Sequence, residues 1–214
     1  MATARVIRQT VKVRDTRTGQ MEDQPLLEDW MVDYGGSEMA NPRIQDRILE
    51  AFSGLRSVAA DKKIGVGAEI AIRPFMVSDI PAAGGGVTNL YGAAGHWLTT
   101  ALTASATVYT TTVNFQLNSA QALCFLSFFD WDTTPTVSAV RYGLGNGGTA
   151  VKCQYGTEYL LTEEDQNLWH SPVYYIPDEW VPLQVLAAAA VTEQCGYRAF
   201  IAEKQGSVVQ GIQV

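Results

Sequence analysis

After Lys63 the apolar residues recur with a period of two almost to the end of the chain, and this constrains the fold more than any other feature. Ile64, Val66, Ala68, Ile70 and Ile72 alternate with Gly65, Gly67, Glu69, Ala71 and Arg73 until Pro74 and Pro81 close the run. In residues 106–117, Thr107, Tyr109, Thr111, Val113, Phe115 and Leu117 share one face. Residues 122–129 (ALCFLSFF) are apolar on both faces and read as a central strand. Residues 136–144 and 149–155 flank Gly145-Asn146-Gly147-Gly148, the strongest hairpin signal here, because Asn-Gly supplies the positive φ of a tight turn. Pro172, Pro177 and Pro182 punctuate an extended stretch, and residues 181–191 and 197–203 complete the set.

The count is about eight strands separated by turn signals. Without βαβ alternation a parallel sheet is not the expected organising element. Two antiparallel sheets packed face to face satisfy the pattern. Long connections favour a jelly-roll-like sandwich over an immunoglobulin-like one. The fold class is therefore all-β, an antiparallel β-sandwich with an extended N-terminal arm and one α-helix.

Five of the fifteen basic residues crowd into the first seventeen positions: Arg5, Arg8, Lys12, Arg14 and Arg17. From Pro74 to Val140 there is no Lys or Arg. Residues 5–14 alternate, with Ile7, Val11 and Val13 on one face and Arg8, Lys12 and Arg14 on the other, as in an amphipathic strand. Residues 15–40 lack periodicity and read as a loop or extended crossing segment. Asn41-Pro42 opens a helix, as N-cap and first helical residue. Its apolar stripe is Ile44, Ile48, Leu49, Phe52 and Leu55, and Gly54 or Ser57 marks its end. The expected organisation is an arm and crossing segment over 1–40, a helix over 41–57 and the sandwich over 58–214.

A chain of 214 residues can bury a core without staples. Only 17% of residues are charged, a composition that suits lateral packing between subunits. Cys124, Cys153 and Cys195 are odd in number and widely spaced, which fits small buried hydrophobes rather than a disulfide framework or zinc site. That usage points to reduced assembly in a cytoplasm. No secretory signal or membrane-spanning run is expected.

Catalytic and cofactor motifs fare poorly. Gly143-Leu-Gly145-Asn-Gly147-Gly148 matches G-x-G-x-x-G, but a strand follows where a dinucleotide site needs a helix. Gly84-Gly85-Gly86, in the Gly-rich loop 82–96, lacks the Lys-Ser/Thr of a phosphate loop. Thr162-Glu-Glu-Asp165 resembles a capping box before a short helical turn. Asp130 and Asp132 point the same way at a strand end, an incomplete Ca²⁺ ligand set whose plainer reading is a solvated strand end. His96 and His170, the only histidines, read as structural or exposed, with no nucleophile elbow nearby. No enzyme activity, cofactor or metal is expected. Trp169, Tyr174, Tyr175 and Trp180 fall within twelve residues, as core, a partner interface or a glycan platform.

An extended basic N-terminal segment, one helix and an eight-strand sandwich rich in Thr, Ala and Gly resemble a virion structural subunit. The layout is similar to single jelly-roll capsid proteins and to the jelly-roll cement proteins of tailed bacteriophages. The resemblance implies a non-enzymatic capsid subunit or capsid-stabilising (cement or decoration) protein of a virion, assembled in the host cytoplasm. Its implied partners are copies of itself in a homo-oligomer and other capsid proteins. Arg5, Arg8, Lys12, Arg14 and Arg17 would contact a neighbour or, without sequence preference, nucleic acid. The alternative is a carbohydrate-binding β-sandwich of a phage tail or adhesion device, using Trp169 to Trp180 with Asp130 and Asp132.

Overall fold

The computed structural model describes residues 10–14, 21–25, 42–75, 79–80, 88–89, 98–102, 104–105, 107–130, 136–156, 167–190 and 192–204. The chain divides into two compact units, Met1–Glu50 and Ala51–Val214, with the division inside the helix.

In the first unit, β1 (Thr10–Arg14) and β2 (Met21–Pro25) form an antiparallel two-stranded sheet. Residues 21–25, expected as loop or extended crossing segment, thus form a strand. MEDQP has no apolar alternation of its own, and the pairing partner β1 supplies the backbone bonds that hold it extended.

The helix α1 runs Pro42–Asp61, past both predicted stops. Ile44, Ile48, Phe52 and Leu55 are buried, as their spacing predicts, together with Ala51 and Ala59. The end is a Schellman motif. Lys63 takes φ 60, its N–H donates to Ala60, and the Ile64 N–H donates to the Ala59 carbonyl at 2.8 Å. Ile64, expected to open a strand, is instead buried as the apolar residue that closes this cap. A 3-10 turn over Gly67–Glu69 follows, so extended chain begins only at β3 (Ile70–Pro74).

The second unit is the sandwich. Its strands are β3, β4 (Thr88–Asn89), β5 (Leu98–Ala101), β6 (Thr110–Gln116), β7 (Gln121–Asp130) and β8 (Val137–Leu144). They are followed by β9 (Ala150–Gly156), β10 (Asn167–Tyr175), β11 (Trp180–Ala187) and β12 (Thr192–Lys204). Eight of the ten have five residues or more, matching the expected number; β4 and β5 are shorter.

The larger sheet has the order β10-β7-β12-β5-β4, with β3 also on β12, and the smaller has β6-β11-β8-β9. All ladders between these strands are antiparallel. The pairs β8–β9, β7–β10, β6–β11 and β5–β12 are nested, as in one long hairpin rolled into two sheets. That is the strand order of an eight-stranded jelly roll. The hairpin tip is the turn at Gly145-Asn146-Gly147-Gly148, where the three glycines have φ of 71–72°.

Strand β7 lies between β10 and β12 and is buried without a break over residues 122–128. Leu123, Phe125 and Phe128 face the core between the sheets, which Val113, Val140 and Leu183 reach from the other side. On the opposite face, Phe52 of α1 meets Phe200 edge-on at 5.1 Å. A layer on each side of the larger sheet explains why β7 is apolar on both faces.

In β6 and the residue after it, Val113, Phe115 and Leu117 reach the core as the alternation predicts. The phase breaks at a bulge, where Leu183 pairs with Val113 and Gln184 with Thr111. The extra residue, Thr112, is fully buried, and its hydroxyl donates to the Leu183 carbonyl at 3.0 Å.

Candidate functional site

Of the five arm residues, Lys12 and Arg14 lie in β1; Arg5, Arg8 and Arg17 are outside the described residues. The register sets Lys12 opposite Asp23, Val13 opposite Glu22 and Arg14 opposite Met21. Over residues 1–25 the five basic residues are accompanied by three acids, Asp15, Glu22 and Asp23. The basic strand is therefore paired with an acidic one in its own chain.

The aromatic stretch does not form one surface. In β10, Tyr174 pairs with Cys124 and Tyr175 with Leu123, and strand alternation sends the two tyrosines to opposite faces. Tyr174 is half-buried against α1, where Gly54 leaves room for its ring. Tyr175 is fully buried, and its hydroxyl donates to the Gly143 carbonyl at 3.0 Å. The Lys152 ammonium sits 4.3 Å from the centre of the Tyr175 ring and 2.9 Å from Glu179. As a glycan or partner contact, Tyr175 is corrected to a core residue, because no face of it reaches solvent. Burial first, then the nearby Cys153 and Glu179, hold its phenol far above the ordinary tyrosine range. Trp180 is half-buried at the start of β11, opposite Gln116. Trp169 stands opposite Ser127 in the β10–β7 register.

Asp130 is buried rather than solvated. One carboxylate oxygen accepts the backbone N–H groups of Thr136 at 3.1 Å and Val137 at 3.2 Å. It thereby closes the connection into β8, a structural use of the acid. Asp132, His96, Trp131 and the segment Thr162 to Asp165 lie outside the described residues. Among the described residues no cluster of three or more His, Cys, Asp or Glu has the geometry of a metal site. Cys124 and Cys195 are buried free thiols, as expected; Cys153 is half-buried and its thiol pKa is raised, chiefly by burial. No described helix is long and apolar enough to cross a membrane.

One polar cluster was not legible in the sequence. His170, read as structural or exposed, lies in β10 and is 2% exposed, a structural histidine. Its Nε2 is 2.7 Å from the fully buried Tyr142 hydroxyl, and its Nδ1 is 2.8 Å from the Ser171 carbonyl. A carbonyl only accepts, so Nδ1 carries a proton; in the neutral ring Nε2 is then the acceptor of the Tyr142 hydroxyl. The Tyr155 ring stacks on the imidazole at 4.4 Å and 10°. Burial, followed by the neighbouring Cys153, Tyr175, Tyr155 and Cys124, raises the Tyr142 pKa well above its ordinary value. His170 belongs to the larger sheet and Tyr142 and Tyr155 to the smaller. The cluster is thus a hydrogen-bonded clip between sheets, with its phenol buried between them. Only the single histidine in an extended, proline-containing run hinted at it.

No family model matches this chain, and no curated protein matches it.

Proposed function

We propose that this chain is a virion structural protein, a capsid subunit or capsid-stabilising protein that assembles through its N-terminal segment and its sheet edges. The observation that carries the reading is the nested strand order β5–β12, β6–β11, β7–β10 and β8–β9. This topology recurs in shell proteins, and also in lectins and cupins, so fold alone does not decide function. Three features favour the shell reading: a separate N-terminal unit with a basic strand, a charge-poor body, and sheets ending on β4, β6, β9 and β10 among the described residues. Edge strands offer main-chain groups to a neighbour's strand.

The β1–β2 pairing weighs on what the arm touches. Neutralising phosphates needs basic charge in excess, and two of the three acids in residues 1–25 stand in β2. Contact with a neighbouring subunit is accordingly the favoured role over contact with nucleic acid.

The test is the mass of the purified chain by light scattering, at low and high salt, with and without nucleic acid. Discrete oligomers or shells that ignore added nucleic acid are the expected result. A monomer under every condition that also fails to bind preformed shells would overturn the proposal.

A further inference from the structure

We propose that one end of the sandwich holds a binding site for a neutral pyranose, in a cleft of about 310 Å³ between β3, β6, β7 and β12. Its size is at the lower end of the range of about 300–1,000 Å³ for small-molecule sites. Every residue involved lies in the second unit, and the inference is independent of the assembly reading.

The wall is a network with capacity left over. Arg73 Nε donates to Glu203 Oε2 at 3.1 Å, and Nη1 donates to Asp79 at 2.8 Å and to the Pro74 carbonyl at 3.1 Å. Gln121 donates to Glu203 Oε1 at 2.6 Å. A guanidinium has five donors and a carboxylate about four acceptor positions. These bonds use Nε and Nη1, which leaves the Nη2 donors, and they leave each Glu203 oxygen a second lone pair. The Glu203 side chain is only 7% exposed, so those acceptors have little solvent to satisfy them.

The lining holds one guanidinium and two carboxylates already paired with it, which disfavours an anion. A neutral ligand whose groups both donate and accept can use the Nη2 donors and the Glu203 acceptors together, and vicinal hydroxyls have that character. The floor is the rim of the apolar core, where Phe75, Phe115 and Ile201 are each buried and Phe75 stacks on both Phe115 and Tyr197, so the polar wall makes the ligand contacts. Asn118, in the exposed turn between β6 and β7, adds an amide at the mouth.

The experiment is saturation-transfer NMR on the full chain with methyl glycosides of glucose, galactose, mannose and N-acetylglucosamine, each beside its free sugar. Transfer to ring protons of at least one sugar is expected, weakened about tenfold or more by Glu203→Gln, which removes a charged hydrogen-bond acceptor. Equal binding of free sugar and glycoside identifies a free saccharide as ligand; preference for the glycoside identifies a glycan terminus. Asn118→Ala, outside the core, should weaken binding several-fold and decides the matter where Glu203→Gln melts early. No transfer to any sugar, or transfer unchanged in both variants, would overturn the site.

Discussion

Gly54 of α1 and Tyr174 of β10 occupy one another's space: a Cβ at residue 54 would collide with the tyrosine hydroxyl and ring. The pair holds the helix close to the larger sheet, beside the Phe52–Phe200 contact. In a helix interior alanine normally gains up to about 1 kcal/mol over glycine. Overpacking costs about 1–3 kcal/mol, so Gly54→Ala should destabilise the protein on balance. Adding Tyr174→Ala should recover part of that loss, a non-additivity that a double-mutant cycle in denaturant unfolding will read.

The Tyr142–His170 bond gives a second expectation. Tyr142→Phe removes this hydrogen bond between two buried groups, at a cost of about 1 kcal/mol or more. Equilibrium unfolding in urea measures it; a variant as stable as the parent would mean the clip does not hold the sheets together.

Alkaline pH should act through Tyr142 and Tyr175. Both phenols are raised in the folded state, chiefly by burial. Their contribution is fully present below the unfolded tyrosine pKa of about 10 and is lost as pH rises above it, because only the unfolded chain releases these protons there. Tyrosinate absorbance should therefore show a late fraction that appears together with loss of the fold. A complete titration of all tyrosines while the protein remains folded would contradict this.

At the helix end, Lys63 occupies a left-handed position that favours glycine. Lys63→Gly should raise stability by up to about 1 kcal/mol, since relief of backbone strain is partly offset by the greater freedom of glycine in the unfolded chain. Thermal melting of the two proteins checks the sign.

The features legible in the sequence were those whose cause is local or periodic. The β8–β9 hairpin followed from Asn146-Gly147, and the central place of β7 from a run apolar on both faces. What escaped depends on partners distant in the chain. Strand β2 has no pattern of its own and exists by pairing with β1. Gly54 looked like a helix stop because its real use, receiving Tyr174 from 120 positions further on, leaves no local trace. Strands β10 and β8 bring His170 and Tyr142 together, which no motif announces. The acids of the Arg73 cleft were invisible for the same reason, since Glu203 reaches Arg73 only through the β3–β12 pairing.

The most direct test of the assembly claim removes residues 2–18 and compares the mass of that variant with the full chain by light scattering. The account predicts that the variant keeps its β-sheet circular dichroism and cooperative melting yet stays monomeric where the full chain forms discrete assemblies. A folded variant that assembles as the full chain does would contradict it.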